Sequence, residues 1–477
     1  MSTHSRTLIL ALPILLLGCT VGPDYKKPEG AVADQWISSD GVLTDRGDKD
    51  AETQQDWWQN FNDPILNQLI QKATTDNFDL KIAEARIAGA RASQSAASSD
   101  LLPKVDVMGS ATREANQFAI PGNFPGLTKP FNIFETGFDA SWELDLFGGK
   151  RREVEAATAE FQASEASRDD VRVSLLAEVA KTYIDIRRYQ AQWAITQATV
   201  DSNQNTFDIA TQRFNVGDVA HIDVTEAEAQ LNQAKSQLPA DQNQLSQAEY
   251  RMDVLMGEQP GYAHKIVEAK RSIPVSDKKL ILDAPSAVIA HRPDIRMAER
   301  KLAAATARQG VAVAQFFPDI SLSGFLGLLN TDGGSLLKTS SKSWLAGSKV
   351  IWPILNLGQL AANEDIADAE EKEARLTYQK SIIAALADVE SSVTAYTQQD
   401  KNRQDLARAV ANSERAAEAA NERYKEGLTA FIEVLDAKRT LFVAQRQLTD
   451  ATAASSQDSI AVYKSLGGGW NVGPKAQ

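Results

Sequence analysis

From Phe134 to Leu146 the chain alternates strictly between two series of side chains. Phe134, Thr136, Phe138, Ala140, Trp142, Leu144 and Leu146 fall on one face, and Glu135, Gly137, Asp139, Ser141, Glu143 and Asp145 on the other. A period of two is that of a β-strand, whose successive side chains point to opposite faces. Past Phe147-Gly148-Gly149 the period changes. Leu176, Val179, Tyr183, Ile186, Tyr189 and Trp193 recur at intervals of three and four, which is one stripe of a packed helix. Neither Pro nor Gly occurs from Lys150 to Val216. About 65 residues therefore run as a single helix of roughly 100 Å, far longer than the helices of a globular domain. A strand with one aromatic and one acidic face, leading straight into such a helix, excludes most compact folds.

The unit occurs twice. At an offset of 215 positions, Asp79, Leu80, Ala83, Glu84, Ile87 and Pro103 meet Asp294, Ile295, Ala298, Glu299, Leu302 and Pro318. Beyond the next loop the offset is 210. Trp142, Leu144 and Gly148 then meet Trp352, Ile354 and Gly358, and Arg213, Phe214, Gly217 and Asp223 meet Arg423, Tyr424, Gly427 and Glu433. A constant offset over so many positions is an internal duplication. Each half reads helix, strand, loop, strand, long helix, turn, return helix. The first repeat, 56–257, has strands over about 104–113 and 133–146, a long helix over about 150–215 and a return helix over about 221–257. The second, 285–467, has strands over about 319–329 and 344–355, a long helix over about 358–426 and a return helix over about 431–466. A linker, 258–284, joins them, and 468–477 reads as a flexible tail. Asp63-Pro64 has the pattern of a helix start, and Pro239 predicts a kink in the first return helix. The helix before the strands and the return helix together match the long one in length, about 65 residues. Two helices stacked end to end can thus run antiparallel beside one. The fold class is mainly α with a β portion, built from long antiparallel helices and four strands.

The N-terminal segment bounds the location. Arg6 followed by the apolar run Leu8–Leu17 reads as a signal peptide over 1–18. Leu16-Leu17-Gly18-Cys19 resembles a bacterial lipobox, which makes Cys19, the only cysteine, the expected site of lipid attachment. Thr20, where an Asp would retain a lipoprotein at the inner membrane, predicts the outer membrane. Residues 19–55 are polar, with Pro23 and Pro28, and read as an extended, lipid-anchored leader. The net charge of -13 argues against nucleic acid. Past the signal no apolar run of about 18 residues occurs, so a membrane crossing has to be made by a closed β-barrel. Such barrels begin at about eight strands, so two or three chains have to combine. Phe138, Trp142, Trp344 and Trp352 would then face lipid, and Glu135, Asp139 and Glu143 the barrel lumen.

Several motifs make the reading specific. The lipobox followed by Val21-Gly22-Pro23-Asp24-Tyr25-Lys26-Lys27-Pro28 resembles the outer-membrane factor family, the TolC-like exit ducts of tripartite efflux systems. So do Trp57-Trp58, Trp142-Glu143-Leu144-Asp145-Leu146-Phe147-Gly148, the paired Arg-aromatic-x-x-Gly turns and Leu466-Gly467-Gly468-Gly469-Trp470. The resemblance covers essentially the whole mature chain and is closest to the lipidated branch that serves resistance-nodulation-division pumps. It implies a homotrimer with a twelve-stranded β-barrel in the outer membrane and a twelve-helix α-barrel across the periplasm. It also implies a periplasmic adaptor and an inner-membrane pump as partners. Carried over by position, the periplasmic gate would comprise Asp223, Tyr424, Ile432, Glu433 and Asp436. Asp223 would hydrogen-bond Tyr424, and Ile432 and Asp436 would form the narrowest ring, its carboxylates attracting cations. A basic residue that ties the tips in some members appears here as Thr429. Arg213, Gly217, Arg423 and Gly427 would form the tips that the adaptor touches. Without the resemblance, Asp223 and Asp436 read as solvated acids near helix N-termini.

Enzyme readings fail on inventory. The histidines are His4, His221, His264 and His291, and none has a ligand partner at i+4. Ser335-Leu336-Leu337-Lys338 matches S-x-x-K but lacks companion motifs. Gly148-Gly149-Lys150 lacks the spacing of a phosphate loop. No cofactor or metal site is expected. The sequence reads as a passive duct for small-molecule efflux; export of protein or metal ions, or a non-conducting envelope tether, are the alternatives.

Overall fold

The computed structural model describes residues 20–28, 35–37, 44–45, 55–115, 130–269, 271–276, 281–282, 284–426 and 428–470. Residues 1–18, Cys19, Gly427 and the chain beyond Trp470 lie outside them. In chain order the longer elements are α1 (Pro64–Asp76), α2 (Phe78–Ser99), β2 (Lys104–Glu114), β3 (Phe131–Leu144), α3 (Gly149–Asn215), α4 (His221–Leu255), α7 (Pro293–Ala314), β5 (Asp319–Asn330), β6 (Lys342–Ile351), α8 (Leu357–Lys425) and α9 (Phe431–Ser465). Shorter ones are β1 (Thr44–Asp45), α5 (Tyr262–Val267), β4 (Ile281–Leu282) and α6 (Pro285–His291). The second repeat's last strand stops at Ile351, short of residue 355, because Pro353 cannot donate to a ladder. The segment 258–284 is more than a linker: it holds α5, and β4 pairs in parallel with β1 of the leader. Helix α4 runs unbroken through Pro239. The compact units cut across the sequence repeats. One comprises 1–29, 86–165 and 297–379, the other 30–85, 166–296 and 380–477, so each draws on both halves.

The first unit holds an antiparallel sheet in the order β2-β3-β5-β6. Its register gives each face a chemistry, since residues paired across strands share a face. Val107, Phe138, Leu326 and Trp344 align in one row across all four strands. They are 77%, 56%, 66% and 76% exposed, an apolar row that the described residues leave uncovered. Asp106, Asp139, Phe325 and Leu345 form the adjacent row on the opposite face, which Glu135 and Glu143 share. Phe325 is buried there because Gly137 and Gly327, paired across β3 and β5, leave it a seat. A Cβ on Gly327 would lie 2.3 Å from the Thr136 carbonyl, so that position accepts no side chain.

The duplication is visible in detail. The indole of Trp142 donates to the carbonyl of Leu101 at 3.0 Å, and that of its repeat partner Trp352 to the carbonyl of Phe316 at 3.1 Å. Each clasp joins the end of a strand hairpin to the helix that feeds it.

The start of the leader belongs to this unit as well. Gly22, at φ +83°, sits against Gly310, where a Cβ would come within 2.6 Å of backbone. Arg152, almost fully buried, donates to the carbonyls of Val21 (3.2 Å) and Gly22 (3.3 Å) and to Asp24 (2.7 Å). The Tyr25 hydroxyl donates to Glu299. The Val21–Tyr25 motif is thus a strap, tied down by one buried guanidinium of α3 and one carboxylate of α7.

The second unit holds the main apolar core, in which Trp57 stacks on Tyr463 with ring centroids 5.4 Å apart. Asp63 caps α1, accepting from the N–H of Ile65 and Leu66, with Pro64 at the first helical position.

Candidate functional site at the helical tips

Both long helices end in the same way. At the end of α3 the N–H of Gly217 bonds the carbonyl of Phe214 (2.9 Å), and that of Asp218 the carbonyl of Arg213 (2.8 Å). Gly217 takes φ +81°, the left-handed conformation that a Cβ disfavours. At the end of α8 the N–H of Leu428 bonds the carbonyl of Arg423 at 2.8 Å. The return helices then start without a side-chain cap, at Ala220 and Ala430. Aromatic pairs brace both turns: Phe214 on His221 at 5.3 Å and Tyr424 on Phe431 at 5.2 Å.

The contact between the two hairpins differs from the expected one. Tyr424 is held by Arg213, not by Asp223. The guanidinium donates to the Tyr424 hydroxyl and lies 5.3 Å from the ring centroid, and it reaches Asp218 at 3.5 Å. The reason is reach: Arg213 stands on the last turn of α3, beside the last turn of α8, whereas Asp223 starts the return helix. Among the described residues Asp223 shows no side-chain hydrogen bond; its N–H bonds the carbonyl of Ala220.

Ile432, Glu433 and Asp436 occupy the first two turns of α9. Ile432 is exposed. Asp436 is exposed too, but Arg439 pairs with it at 2.6 Å, so its charge is partly balanced within the chain. Thr429 donates its hydroxyl to Glu433. Sequence reasoning missed Ile222, Val216 and Leu428, all exposed apolar side chains at the tips. The offset of 210 pairs Ile222 with Ile432 and was signal enough to find it. Glu135, Asp139 and Glu143, in the other unit, share the face opposite the apolar row.

Residues 69–258 and 284–468 match the family model described as outer membrane efflux protein. The chain is 31% identical to the toluene efflux pump outer membrane protein TtgC of Pseudomonas putida, over 98% of this chain and 96% of that protein. It is 29% identical to the cation efflux system protein CusC of Escherichia coli O6:H1, over 98% and 99%. The solved structure of the outer-membrane channel OprN superimposes with a TM-score of 0.88 at 33% identity, covering 95% of this chain and 100% of that one. With both repeats matched by one family model and full-length likeness to its members, the chain belongs to the outer membrane efflux protein family.

Proposed function

We propose that three copies of this chain form one passive exit duct for small molecules. A lipid on Cys19 anchors each copy, and a periplasmic adaptor and an inner-membrane pump feed the duct at its helical tips. The observation that carries the reading is the sheet. Among the described residues its outer strands, β2 and β6, each keep one unpaired edge, one face is an exposed apolar row, and the other carries Asp106, Asp139, Glu135 and Glu143. A sheet with open edges and a lipid-compatible face is stable in a bilayer only when other strands close it. Three sheets of four strands give a twelve-stranded barrel with an acidic lumen. The helices carry the lumen into the periplasm, where Ile432, Glu433 and Asp436 from each copy converge and close it. Asp223, Arg213, Gly217, Arg423 and Gly427 line the tips. The acidic lumen favours cations.

Single-channel recording of the purified protein in planar bilayers, beside Asp223→Ala/Asp436→Ala, tests this. Small, cation-selective currents that grow in the double variant are expected. Trimers shown to have inserted that pass no current would overturn the duct, and anion-selective currents would overturn the acidic lumen.

A further inference from the structure

The return helix α9 is joined to α3 by a run of side-chain hydrogen bonds. Lys438 donates to Ser202 at 3.1 Å, Arg446 to Thr196 at 2.7 Å, Gln192 to Asp450 at 2.5 Å, and Gln457 to Asp185 at 2.9 Å. As the α9 number rises the α3 number falls in step, so these are rungs of an antiparallel polar seam.

One rung differs from the others. At Arg446 a third helix joins. Asp241 of α4, only 3% exposed, takes two bonds from the guanidinium, Nη1 to Oδ2 at 3.0 Å and Nη2 to Oδ1 at 3.2 Å. Thr196, also buried, donates to the same carboxylate at 2.6 Å. A bidentate Arg–carboxylate pair fixes both distance and angle. Removing one partner would strand a buried charge.

The packing changes above this point, toward the tip. A half-open cavity of about 400 Å³ lies between α9 and the α3–α4 pair. Its lining mixes polar and apolar side chains, among them Asn203, Gln230, Gln233 and Gln237, with Leu435 and Phe442 of α9. Helix faces bordering a half-open cavity shift more readily than close-packed ones. The gate residues of α9 therefore stand on a stretch that the Lys438–Ser202 bond and the buried Val434 and Leu435 hold beside this cavity, and whose base is pinned by buried charge. From Asp436 to Arg446 is about ten residues, or about 15 Å of helix.

We propose that Arg446 is a positioning residue of the gate: with Asp241 and Thr196 it pins α9 to the α3–α4 pair, and the turns of α9 that carry Ile432, Glu433 and Asp436 swing about this pin into the adjoining cavity. The proposal rests on the duct reading. Arg446 touches neither cargo nor the closing ring; it sets where the ring stands.

The test is single-channel recording of Arg446→Ala, Arg446→Lys and Thr196→Ala, each also combined with Asp436→Ala. Loss of the pin frees the gate segment, so the open probability of Arg446→Ala rises about fivefold or more. Arg446→Lys keeps the charge but loses the fork and rises less, as does Thr196→Ala, which loses one hydroxyl. In the Asp436→Ala background, already open at the tip, the same changes add little, because they act through one element. If Arg446→Ala fails to assemble, the two milder variants decide. Assembled variants that all gate within about twofold of the parent, or that add fully to Asp436→Ala, would overturn the pin. A parent trimer that inserts and never conducts would instead overturn the duct reading, so the two failures are distinguishable.

Discussion

Leu326→Arg is expected to keep the protein out of the outer membrane, while Ser323→Arg, three residues earlier on the same strand, leaves it there. The difference lies in the register. Leu326 aligns with Val107, Phe138 and Trp344 on the exposed apolar face. Ser323 pairs with Ser141 and Gly347 on the opposite face. Arginine on the lipid face near the bilayer centre costs about 2–4 kcal/mol, and a trimer carries it three times, which is comparable to the whole stability of a domain. Arginine on the lumen face meets water and acidic neighbours. The measurement is the amount of heat-resistant trimer in outer-membrane fractions, followed by currents from whatever inserts. Ser323→Arg should insert and conduct with weaker cation preference. Leu326→Arg trimers at parental yield would mean that this face does not meet lipid.

Local periodicity made much of the molecule legible. The alternation at Phe134–Leu146 is strand β3 over most of its length, and the uninterrupted run after Gly149 is α3. The offset of 210 led to the paired tryptophans and to the equivalent tips because a duplicated backbone repeats its hydrogen bonds. What sequence could not give were contacts between residues far apart in the chain with no periodic relation. Arg446 and Asp241 are 205 positions apart, and neither stands out on its own helix. Family position matches Tyr424 to Asp223, yet a longer cation on the neighbouring turn reaches it first. The division into compact units was likewise hidden, since α3 and α8 pass through both.

Arg187 illustrates the same limit at the greatest energetic cost. In sequence it is one of two adjacent arginines on a long polar helix. In the fold it has no exposed surface. Its Nε donates to the Tyr183 hydroxyl at 3.0 Å, and its Nη1 to Gln190 (2.7 Å) and to the carbonyls of Val267 (3.1 Å) and Ala269 (2.7 Å). Tyr183 passes the charge on, donating at 2.6 Å to Asp63, the carboxylate that also caps α1. Burial and the Asp63 carboxylate push the Tyr183 hydroxyl well above its ordinary pKa, so it remains a donor at any physiological pH. One buried guanidinium therefore ties α3 to the segment after α5 and, through Tyr183, to the start of α1. Arg187→Ala leaves the Ala269 carbonyl without that donor, removes the positive end of the relay and opens a cavity. A loss of about 3–5 kcal/mol is expected, read as a large fall in the thermal midpoint of the helical signal. Tyr183→Phe should cost less, about 1–3 kcal/mol, because the guanidinium keeps its carbonyl partners. The double variant should lose less than the two changes summed, since both break one network. Additive losses would mean that Arg187 and Asp63 are not coupled through Tyr183. An Arg187→Ala protein that melts with the parent would mean that the guanidinium contributes no net stability to this core.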